Sequence, residues 1–299
     1  MTIELASNVG PARLQIAYER LGDPRHPPVL LIMGVGAQLI GWPDGLCAAL
    51  VRRGLHLIRF DNRDAGESTH LATAPVPDLP AVIAGDHTSV AYRLTDMAAD
   101  AVGLLDALGL ESAHVVGASM GGYIAQTIAI EHPRRIRSLT SMMATTGSLS
   151  VGQPHPEALA ALAGPPPTTR AEVVETTLRV FGVIGSPGYP LDVEGIADRT
   201  GRAFDRAFDP LGMARQAVAS VASGDRTERL RTVAVPTLVI HGADDRLCDV
   251  SGGRATAAAI PGARLVVIDG VGHDLPAPLW DPLATDIAAH VERAEARRG

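Results

Sequence analysis

The sequence predicts an α/β fold: a largely parallel β-sheet covered by helices, with a helical segment inserted late in the chain. Three observations carry this. Short β-rich runs alternate with helical patterns along most of the 299 residues. Several of those runs are unbroken apolar stretches, as strands buried on both faces require. The alternation then stops over residues 147–231 and resumes afterwards.

Taken in order, the strand runs are 29–33, 55–61, 113–117, 138–143, 237–241 and 264–268. The helix over 95–109 sets Met97, Ala101, Leu104, Leu105 and Leu108 at helical spacing, with Gly109 as its terminator. A second runs from Met120 to about Glu131 and is stopped by Pro133; the last covers 279–294. Residues 73–90, rich in proline and small side chains, read as a long loop. The 147–231 stretch carries Pro165-Pro166-Pro167 and then a helical pattern through Val173, Val174, Leu178 and Phe181. It reads as a mostly helical cap, so residues 1–146 and 232–299 form the core domain.

Composition excludes several chemistries. All 26 basic residues are arginine, which removes a Schiff-base lysine and a phosphate-binding loop ending in Lys-Ser/Thr. A net charge of −7 without a basic tract disfavours nucleic acid as a partner. The longest apolar run, residues 28–42, is too short and too glycine-rich to span a bilayer. The first residues lack the basic and apolar regions of a signal peptide, and two cysteines make no disulfide framework. A cytoplasmic location is the expectation.

The chemistry centres on Gly117-Ala118-Ser119-Met120-Gly121, a Gly-x-Ser-x-Gly turn between a strand and a helix. Such a turn projects the Ser119 hydroxyl beyond the sheet, and the small flanking residues let backbone approach closely. A serine hydroxyl needs a base. Among ten histidines, His26, His70, His87, His132 and His155 sit in polar or proline-flanked stretches and read as exposed. His56, His114 and His241 lie in or beside strands and read as packed, and His290 falls in the last helix. His273 follows the final strand on a Gly270-Val271-Gly272 loop, from which its ring can turn back over the sheet edge. The orienting acid belongs after the preceding strand, where Asp244 and Asp245 compete, with Asp249 more distant. Asp245 is preferred; Asp244 would then cap the turn or pair with an arginine. The oxyanion needs two N–H donors, that of Met120 and one from the Gly34-Val35-Gly36 loop, with Val35 the expected donor. That loop also suggests a dinucleotide fingerprint, but Leu39 stands at its third glycine position, which leaves a nicotinamide enzyme the weaker reading.

With these residues in place, the chain resembles the α/β-hydrolase superfamily, and in particular bacterial ester hydrolases of the aclacinomycin methylesterase type. The resemblance rests on Met33-Gly34, Gly41-Trp42-Pro43, the run from Ile58 to Ser68 and the Gly117–Gly122 elbow. It implies an eight-stranded, mostly parallel sheet, a Ser119–His273–Asp245 triad, and no cofactor or metal. Many members have His-Gly where this chain has Met33-Gly34. Asp61 and Arg63 read as braces of their turn rather than as site residues.

The expected substrate is a neutral, fairly hydrophobic small-molecule ester. Gly34, Trp42, Phe181 and Phe204 are the expected contacts, and Tyr189, Phe208 and Met213 complete an apolar roof. The same triad serves thioesters, lactones, C–C bonds or peroxyacid formation. A receptor-like protein that binds without turnover is the rival from another class. No sequence feature bears on oligomeric state.

Overall fold

In the computed structural model, which describes residues 2–298, eight strands form one sheet. In chain order the elements are β1 (Glu4–Val9), β2 (Leu14–Leu21), β3 (Pro28–Ile32), α1 (Asp44–Arg52), β4 (His56–Phe60), α2 (Leu79–Ile83), α3 (Leu94–Ala107), β5 (Ala113–Ala118), α4 (Met120–Glu131) and β6 (Ile136–Met142). Then come α5 (Pro156–Leu162), α6 (Arg170–Ile184), α7 (Val193–Arg206), α8 (Pro210–Ala222), α9 (Thr227–Leu230), β7 (Thr237–Gly242), α10 (Ser251–Ala259), β8 (Arg264–Ile268) and α11 (Trp280–Glu295). The spatial order is β1-β2-β4-β3-β5-β6-β7-β8. From β4 to β8 every pairing is parallel, and the β1–β2 and β2–β4 pairings are antiparallel.

Side chains alternate across the sheet, and both faces are covered. On β3, Leu30 and Ile32 join the cluster under α3 and α4, while Val29 and Leu31 join the cluster under α1 and α11. Val115 and Val116 divide in the same way. Two buried faces explain why these strands read as continuous apolar runs.

Two strands escaped the sequence pattern. β1 and β2 lie at the antiparallel end of the sheet, and β1 exposes half of its residues. They bring the six recognisable runs to eight. The 73–90 stretch also holds more order than a loop. Asp78 caps α2 by accepting from the Ala81 N–H at 3.0 Å, and Val82 packs against Val218 and Ala222 of α8. His70 and His132, expected at the surface, are half-buried.

Five helices, α5 to α9, lie between β6 and β7. Ala219 and Leu230 join the core beneath, and polar ties reach the loops at the edge of the sheet. Arg206 reaches Asp61 at 2.8 Å and Arg215 reaches Asp64 at 2.9 Å. Gln216 accepts from the Gly36 N–H at 2.7 Å and donates to the Arg63 carbonyl at 2.6 Å. Arg63 itself is bidentate on Asp100, so the 61–68 turn is a brace on both sides. No helix among the described residues is long and apolar enough to cross a membrane.

Candidate active site

Ser119 follows β5 directly and caps α4, with φ 57° and ψ −124°. A non-glycine residue in that region stores roughly 1–3 kcal/mol of backbone strain, so its surroundings must hold it there. They do so by backbone contact. A Cβ on Gly117 would lie 2.0 Å from the Gly121 carbonyl oxygen, and one on Gly121 would lie 2.0 Å from that of Ile32. Only glycine lets β3, β5 and α4 meet this closely. The N-terminal end of α4, with its positive partial charge, then sits beside the hydroxyl.

The Ser119 hydroxyl lies 3.0 Å from His273 Nε2, and His273 Nδ1 lies 2.7 Å from Asp245 Oδ2. The donor roles follow from the acid. Burial would raise the Asp245 carboxyl, but the His273 imidazole, the His241 and His273 donors and the Cys248 N–H hold it well below the usual carboxylate range. An ionised carboxylate only accepts, so Nδ1 carries the proton and donates to it. In the neutral ring Nε2 then holds the lone pair, facing the serine O–H. Asp245 Oδ1 accepts from the Leu247 and Cys248 N–H groups at 2.9 and 2.8 Å, which fixes the carboxylate plane.

Its neighbour Asp244 faces the other way and accepts from the Gly270 N–H at 2.8 Å, a turn brace without an arginine. Asp249 binds Ser251 N–H and lies 3.5 Å from His155 at the surface. His56, His114, His241 and His290 are buried, as their positions in or beside the regular elements suggest.

Gly34 is buried against Ser119: a Cβ there would lie 3.0 Å from Ser119 Cβ and 3.4 Å from its hydroxyl oxygen. Among the described residues, neither the Val35 nor the Met120 N–H meets a protein acceptor. Met213 of α8 packs over this loop, and a Cβ on Gly36 would fall 2.7 Å from its sulfur.

Trp42 requires a correction. Its side chain is 1% exposed and packs with Met33, Leu46 and Cys47, so it is core and offers no surface to a ligand. Its indole N–H has no partner, and its carbonyl accepts from Arg59. Phe181 and Phe204 are half-buried on α6 and α7, and the Phe204 ring stands 4.9 Å from that of Phe208. Sequence reasoning missed His241, whose Nε2–H donates to the Cys248 carbonyl at 2.7 Å and lies 3.5 Å from Asp245. Its signal is its place on β7, four residues before Asp245.

Asp64, His70 and Asp209 converge with ligand atoms within 4.8 Å of one another. Arg215 lies 2.9 Å from Asp64 and 3.3 Å from Asp209, so a guanidinium already occupies the role a cation would take.

A family model described as alpha/beta hydrolase fold matches residues 27–184. The chain is 32% identical to rhodomycin D methylesterase DnrP of Streptomyces peucetius, over 92% of this chain and 94% of that one. It is 28% identical to the 2-hydroxy-6-oxononadienedioate/2-hydroxy-6-oxononatrienedioate hydrolase of Cupriavidus pinatubonensis, over 82% of this chain and 80% of that one. The structure superposes on that of a hydrolase from Pseudomonas aeruginosa with a TM-score of 0.70 and 25% identity, covering 98% of both chains. Sequence, sheet order and the serine elbow thus agree, and the chain belongs to the α/β-hydrolase fold family.

Proposed function

We propose that this protein is a serine hydrolase that cleaves carboxylic esters, of which a methyl ester on a largely apolar acyl group is the leading candidate. The observation that carries the reading is the hydrogen-bonded line from Ser119 through His273 to Asp245, beside two N–H groups that meet no acceptor among the described residues. Similarity to a methylesterase supports an ester over other acyl substrates. Val35 on the Gly34–Gly36 loop and Met213, which packs over it, are both partly exposed and support an apolar partner.

In this mechanism Ser119 attacks the ester carbonyl while His273 Nε2 takes its proton. Asp245 keeps the ring in the Nδ1–H tautomer and stabilises the imidazolium that forms. The oxyanion of the tetrahedral intermediate accepts from the Val35 and Met120 N–H groups. His273 then protonates the departing alcohol. Water, deprotonated by the same nitrogen, attacks the acyl-enzyme and releases the acid.

The test is hydrolysis of p-nitrophenyl and methyl esters, with intact-mass analysis after an organophosphonate. Turnover with one label on the Ser119 peptide is the expected result, and Ser119→Ala lowers kcat by about 10⁴–10⁶-fold. Binding without turnover or label would return the protein to the receptor reading. Turnover of a dienoate C–C substrate, with esters untouched, would move it to the chemistry named for the Cupriavidus relative.

A further inference from the structure

The loop that carries His273 is held on one side by the sheet and on the other by the inserted helices. On the sheet side, Asp244 N–H donates to the Val271 carbonyl at 2.9 Å, and the Asp244 carboxylate accepts from Gly270. On the other side lies the chain leaving α6, residues 184–188. The His273 N–H donates to the Ile184 carbonyl at 2.7 Å, and the Gly188 N–H donates to the Gly270 carbonyl at 2.8 Å. Between them, Ser186 makes two bonds with one hydroxyl. It accepts from the Gly272 N–H at 3.0 Å and donates to Asp274 Oδ1. Thus both neighbours of His273 are tied to one side chain that is 8% exposed.

The two segments touch through glycine. A Cβ on Gly272 would lie 2.3 Å from the Gly185 carbonyl oxygen, and one on Gly188 would lie 2.8 Å from Gly270 Cα. At these glycines the strap meets the histidine loop backbone to backbone, so a shift of one is passed to the other as backbone displacement.

We propose that the 184–188 strap sets the position of the His273 imidazole, with Ser186 as its positioning residue. The inserted helices then govern the rate of the chemical step as well as covering the substrate. The ring has little latitude, because it must stay 2.7 Å from Asp245 and 3.0 Å from Ser119 at once. Misplacement of a reacting group by about 1 Å costs on the order of 10²-fold in rate, so a partial shift of the loop costs less than that. Removing the Ser186 hydroxyl orphans the Gly272 N–H and takes from the half-buried Asp274 carboxylate its side-chain donor, on either side of the imidazole. The proposal rests on the reading of His273 as the general base.

The experiment compares Ser186→Ala, Ser186→Thr and Gly188→Ala with the wild type by ester kinetics, phosphonate labelling rate and NMR of the His273 Nδ1 proton. Ser186→Ala is expected to lower kcat and labelling rate about 10-fold while KM stays within about twofold. Gly188→Ala, which forces the seam apart, acts in the same direction. Ser186→Thr retains the hydroxyl and should recover kcat to within about threefold of wild type. A purely structural role would lower all three variants in step with their thermal midpoints and leave no recovery in the threonine variant, which would overturn the proposal. So would alanine variants indistinguishable from wild type. A wild type that neither turns over esters nor takes the label sinks the esterase reading alone. The Nδ1 proton then decides the strap: faster exchange in Ser186→Ala supports it, and unchanged exchange overturns it.

Discussion

The sheet rim and the inserted helices above it are held by different forces. At the rim, backbone meets backbone: Gly117, Gly121 and Ile32 come so close that a single methyl group has no room. The strands below are buried on both faces. In the insertion, α6 buries one residue, Ile184, and α7 buries only Ile196 and Gly201. Polar ties fasten α7 and α8, Arg206 on Asp61, Arg215 on Asp64 and hydrogen bonds from the Gln38 and Gln216 amides, beside a small apolar contact through Val218, Ala219 and Ala222 of α8. A close-packed apolar layer tolerates little change, whereas a few polar ties hold one arrangement firmly and allow others. The serine sits on the first kind of structure and the covering helices on the second.

The largest effects should therefore fall at the rim. Asp245→Asn keeps the shape but supplies the wrong hydrogen-bonding face to His273, and kcat should fall by about 10⁴-fold. Asp244→Asn leaves the tautomer unchanged and should stay within about threefold in kcat, since it weakens only a turn bond. Ester kinetics on the pair reads both. If Asp244→Asn proved the damaging change, the acid would be misassigned and the orientation of the loop with it.

Next comes packing. Gly121→Ala places a methyl 2.0 Å from the Ile32 carbonyl oxygen, whereas a Cβ on Gly182 of α6 meets nothing within 4 Å. The first should destabilise by several kcal/mol, at or beyond the upper end of the roughly 1–3 kcal/mol typical of overpacking. The second should stabilise by about 0.5–1 kcal/mol through helix propensity. Thermal unfolding of both variants checks the contrast. Equal tolerance at both positions would erase the distinction between rim and insertion.

This contrast also governs what the sequence could reveal. The parallel strands were legible because burial on both faces leaves an unbroken apolar run, as in Val29 to Ile32. β1 and β2 were not, because they are antiparallel, part-exposed and carry polar residues such as Ser7, Asn8, Glu19 and Arg20. α10 was missed for want of a stripe: Ser251–Ala259 is mostly glycine and alanine. That Ser119 and His273 can meet is legible from loop position, but which of Asp244 and Asp245 faces His273 depends on which way adjacent side chains turn. Trp42 is an expected contact, and its packing beneath α1 has no local signature. Nor does an ion pair such as Asp64–Arg215, whose partners stand 151 residues apart.

Those distant pairs supply the third prediction. Asp64 is fully buried and accepts from Arg215, Tyr92 and the Leu71 N–H. Burial would raise its carboxyl, but these donors and the Arg215 charge hold it below the usual range. Arg215→Met strands the carboxylate and should cost about 3–5 kcal/mol near neutral pH. The deficit should shrink as acid protonates the abandoned Asp64, a trend that denaturant melts at several pH values would reveal. A cost below about 1 kcal/mol would mean the insertion is fastened by its few apolar contacts instead.

The smallest effect concerns His70, where the core meets the first turn of α8. Its Nδ1 faces the Asp209 carboxylate at 2.7 Å and its Nε2 faces the Gly66 carbonyl at 2.9 Å. Both partners only accept, so both ring nitrogens must carry protons, which is the imidazolium. Burial opposes that charge, but the Gly66 and Asp209 acceptors outweigh it and hold the ring above the usual histidine range, 6.5 when unperturbed. A raised value in the folded state means stability fully present below about pH 6.5 and lost as pH climbs through the folded value. The pair is part-exposed, and Arg215 shares Asp209, so the gain should stay below about 1 kcal/mol. The difference in unfolding free energy between wild type and His70→Gln should therefore be positive at pH 5.5 and fade by about pH 8.5. Asp209 also caps α8, accepting from the Gly212 N–H at 2.8 Å, so deprotonating His70 loosens the joint where that helix starts. A difference that instead grew with pH would mean the ring is neutral in the folded protein and the joint is held by Arg215 alone.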